Sequence, residues 1–302
     1  MPPKPSPPRL THFLAIPLVT PLSRPQLQHS LSHFKEKATQ PNVASLQDGI
    51  PEQAIRPLGT LHLTLGVMSL TTPEKVDGVL QLLKSLEFIG VKPSGAKIRN
   101  QDMQDDINPE SKQDSTIKST DSSSETEAKD SKEKDRGEER PPPPLYITLQ
   151  GLQSMHDPSK TSVLFTAPLD SDLRLYRFCI RLREVFKEFL VGEERPLLLH
   201  ATVVNTVYVK GRGGGRGGGR GSGERGRGSG RGGRGGGRGR ERLVLDAREL
   251  LVEWEDFVWM KDVRVERLAV LRMGAKVGES GEEEYEVDGE IDMPKGDDLL
   301  KG

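Results

Sequence analysis

Two short segments of the sequence place a histidine two residues before a threonine inside an apolar run. The first reads Leu-His-Leu-Thr-Leu-Gly over residues 61–66, and the second reads Leu-His-Ala-Thr-Val-Val over residues 199–204. On a β-strand, side chains at positions i and i+2 lie on the same face. We therefore expect each histidine to project beside its threonine, and two such strands packed side by side would bring both pairs into one cleft.

The four polar side chains of these motifs suit phosphodiester chemistry. A neutral imidazole can accept a proton from an attacking hydroxyl or water, and a protonated imidazole can donate one to the departing oxygen. Threonine hydroxyls can donate hydrogen bonds to the phosphoryl oxygens as charge redistributes in the transition state. This chemistry requires neither a metal ion nor an organic cofactor, and the sequence does not decide which histidine is the acid. The candidate residues are His62 and His200 for catalysis and Thr64 and Thr202 for phosphate binding.

A histidine two residues before a hydroxyl side chain is a short pattern, for which chance matches must be expected. The chain contains six histidines, and the alternative interpretation is that the two motif histidines are partly buried strand residues beside incidental threonines. Context favours catalysis, because both matches contain threonine, both lie in strand-like runs, and they fall at equivalent places in the two halves of the chain. The other histidines share none of these features: His12, His29, His33 and His156.

Apolar periodicity predicts the strands and helices that must position the motifs. Ser23 and Gln26 have the spacing of a capping box, so we expect Ser23 to cap the first helix. The order strand, helix, strand, helix, followed by two strands, a helix and a strand, indicates two similar α+β halves with one motif in each. The predicted strands are His12–Val19, Thr60–Leu70, Leu145–Leu149, Ser162–Ala167, Leu197–Val209 and Val263–Leu271, and the predicted helices are Arg24–Ala38, one opening at Thr71–Glu74, Leu173–Phe189 and Asp246–Trp254.

Two segments account for the low apolar content of the chain. The 302 residues are 33% hydrophobic and have a mean hydropathy of -0.57. Residues 91–144 and 211–242 are almost empty of large apolar side chains and cannot bury enough apolar area to offset chain entropy. We predict that both are disordered insertions in one domain over residues 9–290, with a disordered tail at 1–8 and a flexible tail at 291–302.

The second of these segments is strongly basic, although the whole chain has a net charge of only -1. Gly211–Arg240 contains nine arginines and one glutamate among its glycines and resembles an RGG box. Such a flexible cation can contact phosphates and stack guanidinium groups on bases; the alternative is a neutral linker, but a linker needs no arginine. The candidate RNA-binding residues are Arg212, Arg216, Arg220, Arg225, Arg227, Arg231, Arg234 and Arg238.

Several other residues are expected to have structural roles. Cys179 is the only cysteine, which excludes an intramolecular disulfide and a multi-cysteine metal site and suits the nucleus or the cytoplasm. Trp254 and Trp259 are predicted to lie in the core or at the edge of a lobe, the alternative being that they stack on bases, and Glu282–Glu284 to form a solvated edge. With no apolar run of about 18 residues, we expect no membrane span and no secretion signal.

The paired motifs, together with the opening segment His12–Val19, resemble the two-histidine phosphoesterase superfamily. This superfamily includes 2′,5′-RNA ligase-like proteins and cyclic phosphodiesterases. Within it, residues 61–66 and 199–206 look most like the activating signal cointegrator complex subunit 1 type, with the A-kinase-anchoring-protein type of phosphoesterase domain a close second. The resemblance implies an α+β, bilobal fold with two pseudo-symmetric sheet-plus-helix lobes around a central cleft. It covers about residues 9–90, 145–210 and 243–290 and implies the same catalytic and phosphate-binding roles for the four motif residues.

The sequence therefore predicts a metal-independent phosphodiesterase that acts on 2′,5′ linkages, cyclic phosphates or RNA ends. We expect a monomeric domain with an RNA or oligonucleotide substrate and, as a further partner, a coactivator or RNA-processing complex. The alternative hypothesis is a non-catalytic RNA-binding subunit of a transcription-coactivator or RNA-surveillance complex.

Overall fold

A computed structural model describes residues 7–41, 46, 48–88, 144–192, 196–209, 243–279 and 281–293. Within these ranges the chain forms eleven β-strands and four α-helices. The strands are β1 (His12–Pro17), β2 (His62–Met68), β3 (Tyr146–Ser154), β4 (Val163–Pro168), β5 (Leu190–Val191), β6 (Ala201–Asn205), β7 (Val258–Arg264), β8 (Arg267–Arg272), β9 (Lys276–Val277), β10 (Glu283–Glu284) and β11 (Val287–Asp292). The helices are α1 (Arg24–Ala38), α2 (Pro73–Phe88), α3 (Arg174–Phe186) and α4 (Arg248–Glu253).

The strands form two antiparallel sheets and a separate two-stranded hairpin. The larger sheet has the order β11-β8-β1-β2-β5, the smaller has the order β6-β4-β3-β7, and β9 pairs with β10. The strands associated with the motifs are β2 and β6. Each is the fourth strand of its sheet, counted from β11 in the larger sheet and from β7 in the smaller. The prediction of an α+β fold built from two sheet-plus-helix halves is confirmed.

The two motif strands are tied together by the segment that precedes β2. Ile55 forms an isolated antiparallel bridge with Val204 of β6. The backbone N–H of Arg56 donates to the carbonyl oxygen of Val203 at 2.8 Å. Since this segment leads into β2, it links the chain before the first motif directly to the strand of the second.

Helix α1 has the predicted bounds but lacks the predicted side-chain cap. Ser23 does not cap it, because the residue has helical backbone angles and its hydroxyl donates to the carbonyl oxygen of Leu18 at 2.5 Å. Gln26 instead clamps β7: its amide oxygen accepts from the backbone N–H of Lys261 at 2.8 Å. The capping-box prediction was therefore wrong because both side chains found partners outside the helix. The buried face of α1 carries the predicted apolar residues Leu27, Leu31, Phe34 and Ala38.

Three other predicted elements differ from the structure. The predicted strand Val263–Leu271 covers parts of two strands. It includes the end of β7, which belongs to the smaller sheet, and most of β8, which belongs to the larger sheet. Of Leu197–Val209, only Ala201–Asn205 is a strand, and Thr206–Tyr208 is a 3-10 turn. Ile291, assigned to a flexible tail, lies in β11 and is buried in the core, because β11 pairs with β8.

An aromatic cluster forms part of the core, and Trp254 and Trp259 are buried in it as predicted. The Trp254 ring lies edge-on to Phe34, with ring centroids 4.9 Å apart. The indole N–H of Trp259 donates to the carbonyl oxygen of Gly151 at 2.9 Å. These rings join α1 to the smaller sheet.

Several predictions fall on residues outside the described ranges. The arginine-rich block and nearly all of the insertion predicted at residues 91–144 belong to this group, so their predicted disorder stays a prediction. In the part of the chain that the structure describes, no helix is both long enough and apolar enough to cross a membrane.

Candidate active site

The first motif histidine begins β2 and is held by two neighbours on the same segment. Nδ1 of His62 lies 2.7 Å from the carbonyl oxygen of Thr60, which can only accept, so the neutral ring carries its proton on Nδ1. Nε2 lies 3.0 Å from the Thr64 hydroxyl and accepts a hydrogen bond from it. The predicted pairing of His62 with Thr64 on one face is therefore present, with Nε2 as the basic atom.

The second motif histidine has the same anchor. Nδ1 of His200 lies 2.8 Å from the carbonyl oxygen of Leu198, again two residues earlier in the chain. The proton of the neutral ring is thus fixed on Nδ1 here as well, which leaves Nε2 to exchange protons with a ligand. Thr202 follows on β6, opposite Phe165 of β4.

Each imidazole also packs against a phenylalanine of the neighbouring strand. The Phe13 ring on β1 lies 4.8 Å from the His62 ring. The Phe165 ring on β4 lies 5.3 Å from the His200 ring. The two halves therefore repeat a whole unit, consisting of an anchored histidine, a threonine and a supporting aromatic ring.

The surroundings of His62 contain two further groups. Tyr285, directly after β10, places its ring perpendicular to the imidazole with centroids 5.3 Å apart. Burial lowers the pKa of His62 from 6.5 to about 4; the hydrogen bond to Thr60 opposes this shift, and the charges of His200 and Arg56 add to it. His62 is therefore neutral throughout the physiological pH range.

The two histidines lie close enough for their charges to interact, since His200 contributes to the low pKa of His62. Strands β2 and β6 are also in contact. The structure thus brings both motifs to one region, as the sequence predicted. The predicted ring separation of about 5–8 Å, which would let both rings flank one phosphate, stays a prediction.

Sequence reasoning missed three residues of this region: Arg56, Tyr208 and Tyr285. The Arg56 guanidinium carbon lies 3.9 Å from the centre of the Tyr208 ring, and both side chains lie near the Tyr285 phenol, whose pKa is raised mainly by burial. Two features of the sequence could have indicated these residues. Tyr285 is a lone aromatic residue in an acidic segment, and Arg56 is a cation in the largely apolar segment that precedes the first motif.

The solvated edge predicted at Glu282–Glu284 also serves as a structural support. Glu282 accepts hydrogen bonds from Arg24 Nη1 at 2.9 Å, and the two residues after it form β10. This hairpin strand leads directly into Tyr285. The acidic side chains are exposed or partly exposed, as predicted for a solvated edge, but the role of this backbone in positioning Tyr285 was not predicted.

A groove of about 770 Å³ adjoins the site, and its lining includes Arg56 and Tyr208. A smaller cavity of about 150 Å³ borders His62 and Tyr285. Arg56 is thus shared between the surroundings of the catalytic pair and the larger groove.

The other reactive groups among the described residues do not form a second catalytic or metal centre. Burial, together with the nearby Asp170 charge, raises the pKa of Cys179 to about 12, so its thiol does not ionise at neutral pH and is a core residue. Among the described residues, no three His, Cys, Asp or Glu side chains cluster in a way that could hold a metal ion. Independence from metals stays an expectation for experiment.

The sequence matches the family described as the AKAP7 2′5′ RNA ligase-like domain over residues 10–293, a range that includes both motifs. A search of curated proteins found no significant match. Similar solved structures include the protein TT0787 of Thermus thermophilus, with 13% identity, a TM-score of 0.43 and coverage of 94% of this chain and 97% of that chain. Escherichia coli LigT complexed with 3′-AMP has 13% identity, a TM-score of 0.44 and coverage of 95% and 99%.

Proposed function

Because the chain belongs to the AKAP7 2′,5′-RNA ligase-like domain family of two-histidine phosphoesterases, we propose that its substrates are RNA-type phosphodiesters. The predicted superfamily is confirmed, and the domain type that the sequence placed second is the one that matches. Phosphodiesterase activity follows from the family, whereas 2′,5′ linkages, cyclic phosphates and RNA ends are the proposed substrates. The observation that supports this proposal best is the repeated unit, in which Nδ1 of each histidine is bound to a backbone carbonyl and Nε2 is the atom left to exchange protons. The Thr64 hydroxyl donates to Nε2 of His62 and would turn to a phosphoryl oxygen before His62 accepts a proton.

We assign the base role to His62 and the acid role to His200. With a pKa of about 4, His62 carries almost no proton at pH 7 and so cannot serve as a general acid, but its Nε2 lone pair can accept one. A protonated His200 would donate through Nε2 to the departing oxygen while Nδ1 still donates to Leu198. The Thr64 and Thr202 hydroxyls would then donate to the phosphoryl oxygens.

The test is an activity screen in EDTA over 2′,5′-oligoadenylate, 2′,3′-cyclic nucleotides and RNA ends. We expect turnover of at least one substrate class by the wild-type protein and none by a variant that carries both His62→Ala and His200→Ala. Activity that survives in the double variant, or that disappears with EDTA, contradicts the mechanism. RNA binding without turnover in the wild-type protein would favour the non-catalytic subunit instead.

A second experiment concerns the arginine-rich block, which we propose holds RNA near the cleft because it follows the His200 strand in the sequence. Replacing Gly211–Arg240 with a glycine–serine segment of the same length should weaken RNA binding. It should also flatten the dependence of affinity on salt, because fewer phosphate counterions are released. Turnover of a cyclic nucleotide serves as the control and should not change. An unaltered salt dependence would show that the block is only a linker.

A further inference from the structure

We propose that Arg56 binds a phosphate of the substrate next to the scissile one, so that an oligonucleotide extends from the catalytic pair into the 770 Å³ groove. This inference rests on the proposed function, since it assumes that the substrate is a chain of nucleotides. It adds a specificity-determining residue that the paired motifs do not contain.

The position of Arg56 is fixed by the strand of the opposite motif. The bridge from Ile55 to Val204 and the hydrogen bond from the Arg56 N–H to the Val203 carbonyl hold its backbone against β6. Its charge is nevertheless felt by His62 of β2. Arg56 is therefore joined by its backbone to the strand of the second motif and lies close enough to the first motif for its charge to affect His62.

The guanidinium of Arg56 is buried yet incompletely bonded. The residue is only 6% exposed, and its Nη2 has no hydrogen-bond partner among the described residues. A buried charge with an unpaired donor opposes folding. An anion that accepts from Nη2 would remove this cost, and a phosphate oxygen suits the planar fork of arginine.

Tyr208 orients this cation and extends the binding surface. Its ring covers the guanidinium at 3.9 Å, while the residue as a whole remains 43% exposed. The stack restricts the fork to one plane, which is the preorganisation that a phosphate site needs. The exposed part of the ring offers a surface on which a base can stack.

The groove beyond Arg56 has the size and the chemistry for a nucleotide. Its volume of about 770 Å³ lies within the roughly 300–1,000 Å³ common for ligand sites. The lining contains one other cation, Lys35, which forms an ion pair with Glu52, whereas Nη2 of Arg56 has no partner among the described residues. The lining also contains neutral polar side chains, apolar side chains and two carboxylates, those of Glu52 and Glu283.

The test compares a substrate with one phosphate to a substrate with several, using the full-length protein. We would measure kcat and KM for 2′,3′-cyclic AMP and for 2′,5′-linked triadenylate with wild-type protein, Arg56→Gln and Arg56→Lys. Arg248→Gln is the matched control, because this arginine is exposed and bonded to Asp246. For Arg56→Gln we expect KM for the triadenylate to rise about tenfold to a hundredfold, and the constants for cyclic AMP to change less than about threefold.

Thermal stability separates this role from a structural one. Arg56→Gln should leave Tm unchanged or raise it, because it removes a buried and incompletely paired charge. Should that variant not fold, Arg56→Lys decides, since lysine keeps the charge but loses the stacked fork. In that case a raised KM for the triadenylate supports the inference and an unchanged KM contradicts it.

The remaining outcomes keep the two proposals apart. If the wild-type protein turns over neither substrate, the proposed function fails, and equilibrium binding of the triadenylate to wild type and to Arg56→Gln then tests the inference alone. Equal affinities would overturn it. An equal loss for both substrates, with a shifted pH profile, would mean that Arg56 acts only through His62 and would also overturn it.

Discussion

His62 and His200 have the same local geometry but different surroundings. Each ring donates from Nδ1 to the carbonyl two residues earlier, and each packs against a phenylalanine of the adjacent strand. Among the described residues, the His62 ring also packs against a second aromatic residue, Tyr285, and the His200 ring does not. A repeated unit therefore fixes where both imidazoles point, while residues from outside the repeat make them chemically unequal.

This difference teaches how a symmetric pair of motifs can perform an asymmetric reaction. A base must be neutral before the reaction and an acid must be protonated, so identical histidines would compete for the same role. Enclosing one ring resolves the competition, because burial disfavours its charged form. Four experiments test whether His62 and His200 are chemically unequal.

Removal of either imidazole should have the largest effect. We expect His62→Ala and His200→Ala each to lower kcat by about 10²- to 10⁴-fold, the usual contribution of a general acid or base. His29→Ala, at an exposed position of α1, is the control and should retain wild-type activity. Steady-state kinetics on a cyclic nucleotide would measure this. Near-normal activity in either motif variant would break the proposed pairing of roles.

The second effect concerns stability at low pH and involves His62. Because folding lowers its pKa from 6.5 to about 4, the unfolded chain binds more protons between these values. The free energy of unfolding should therefore fall as the pH falls through that window. At about 1.36 kcal/mol per pKa unit, the loss is at most about 3 kcal/mol. Urea unfolding of wild type and His62→Gln at pH 7 and pH 4.5 should show a smaller loss in the variant, and equal losses would contradict the low pKa.

Substitution of either threonine should lower catalytic efficiency, but only substitution of Thr64 should also affect the titration of His62. Thr64→Val and Thr202→Val each remove one hydrogen bond to a charged phosphate, so we expect kcat/KM to fall about tenfold to a hundredfold. Thr64→Val also removes the hydroxyl that contacts Nε2 of His62 and should alter the NMR titration of that ring, whereas Thr202→Val should not. Serine variants keep the hydroxyl and should restore most activity. No loss in the valine variants would exclude phosphate binding by these residues.

The smallest effect should come from opening the environment of His62. In wild type, kcat/KM should fall as the pH drops through about 4, because protonated His62 cannot accept a proton. Tyr285→Ala admits water and should move the midpoint of this fall in kcat/KM from about pH 4 towards pH 6.5. Tyr285→Phe keeps the ring and should leave the midpoint unchanged. At pH 7 we expect a change below about tenfold, since His62 remains mostly neutral in both. An unchanged midpoint in Tyr285→Ala would show that the tyrosine does not enclose His62.

Local patterns predicted the elements but not what surrounds the base. The bounds of α1 followed from apolar residues at helical spacing, and the two motif strands followed from alternation around each histidine. These features depend on neighbours in sequence. Arg56 and Tyr285 escaped detection because their roles arise from contacts with residues far along the chain. The crossover between β7 and β8 was missed for the same reason, since one apolar run supplied strands to two sheets.

Residues that pack against the first motif are synthesised after both motifs. Tyr285 and β11 are among the last described residues, and Asp288 of β11 lies 2.6 Å from Nε2 of His12 on β1. Gly59, just before the first motif, packs so closely on Glu283 that a Cβ there would lie 2.8 Å from its carbonyl oxygen. A nascent chain would hold both histidines long before these C-terminal residues could dock, and such long-range contacts form slowly. We therefore expect the burial of His62 to be completed only when Tyr285 packs against its ring, and a prematurely terminated chain would carry both motifs with a more exposed His62.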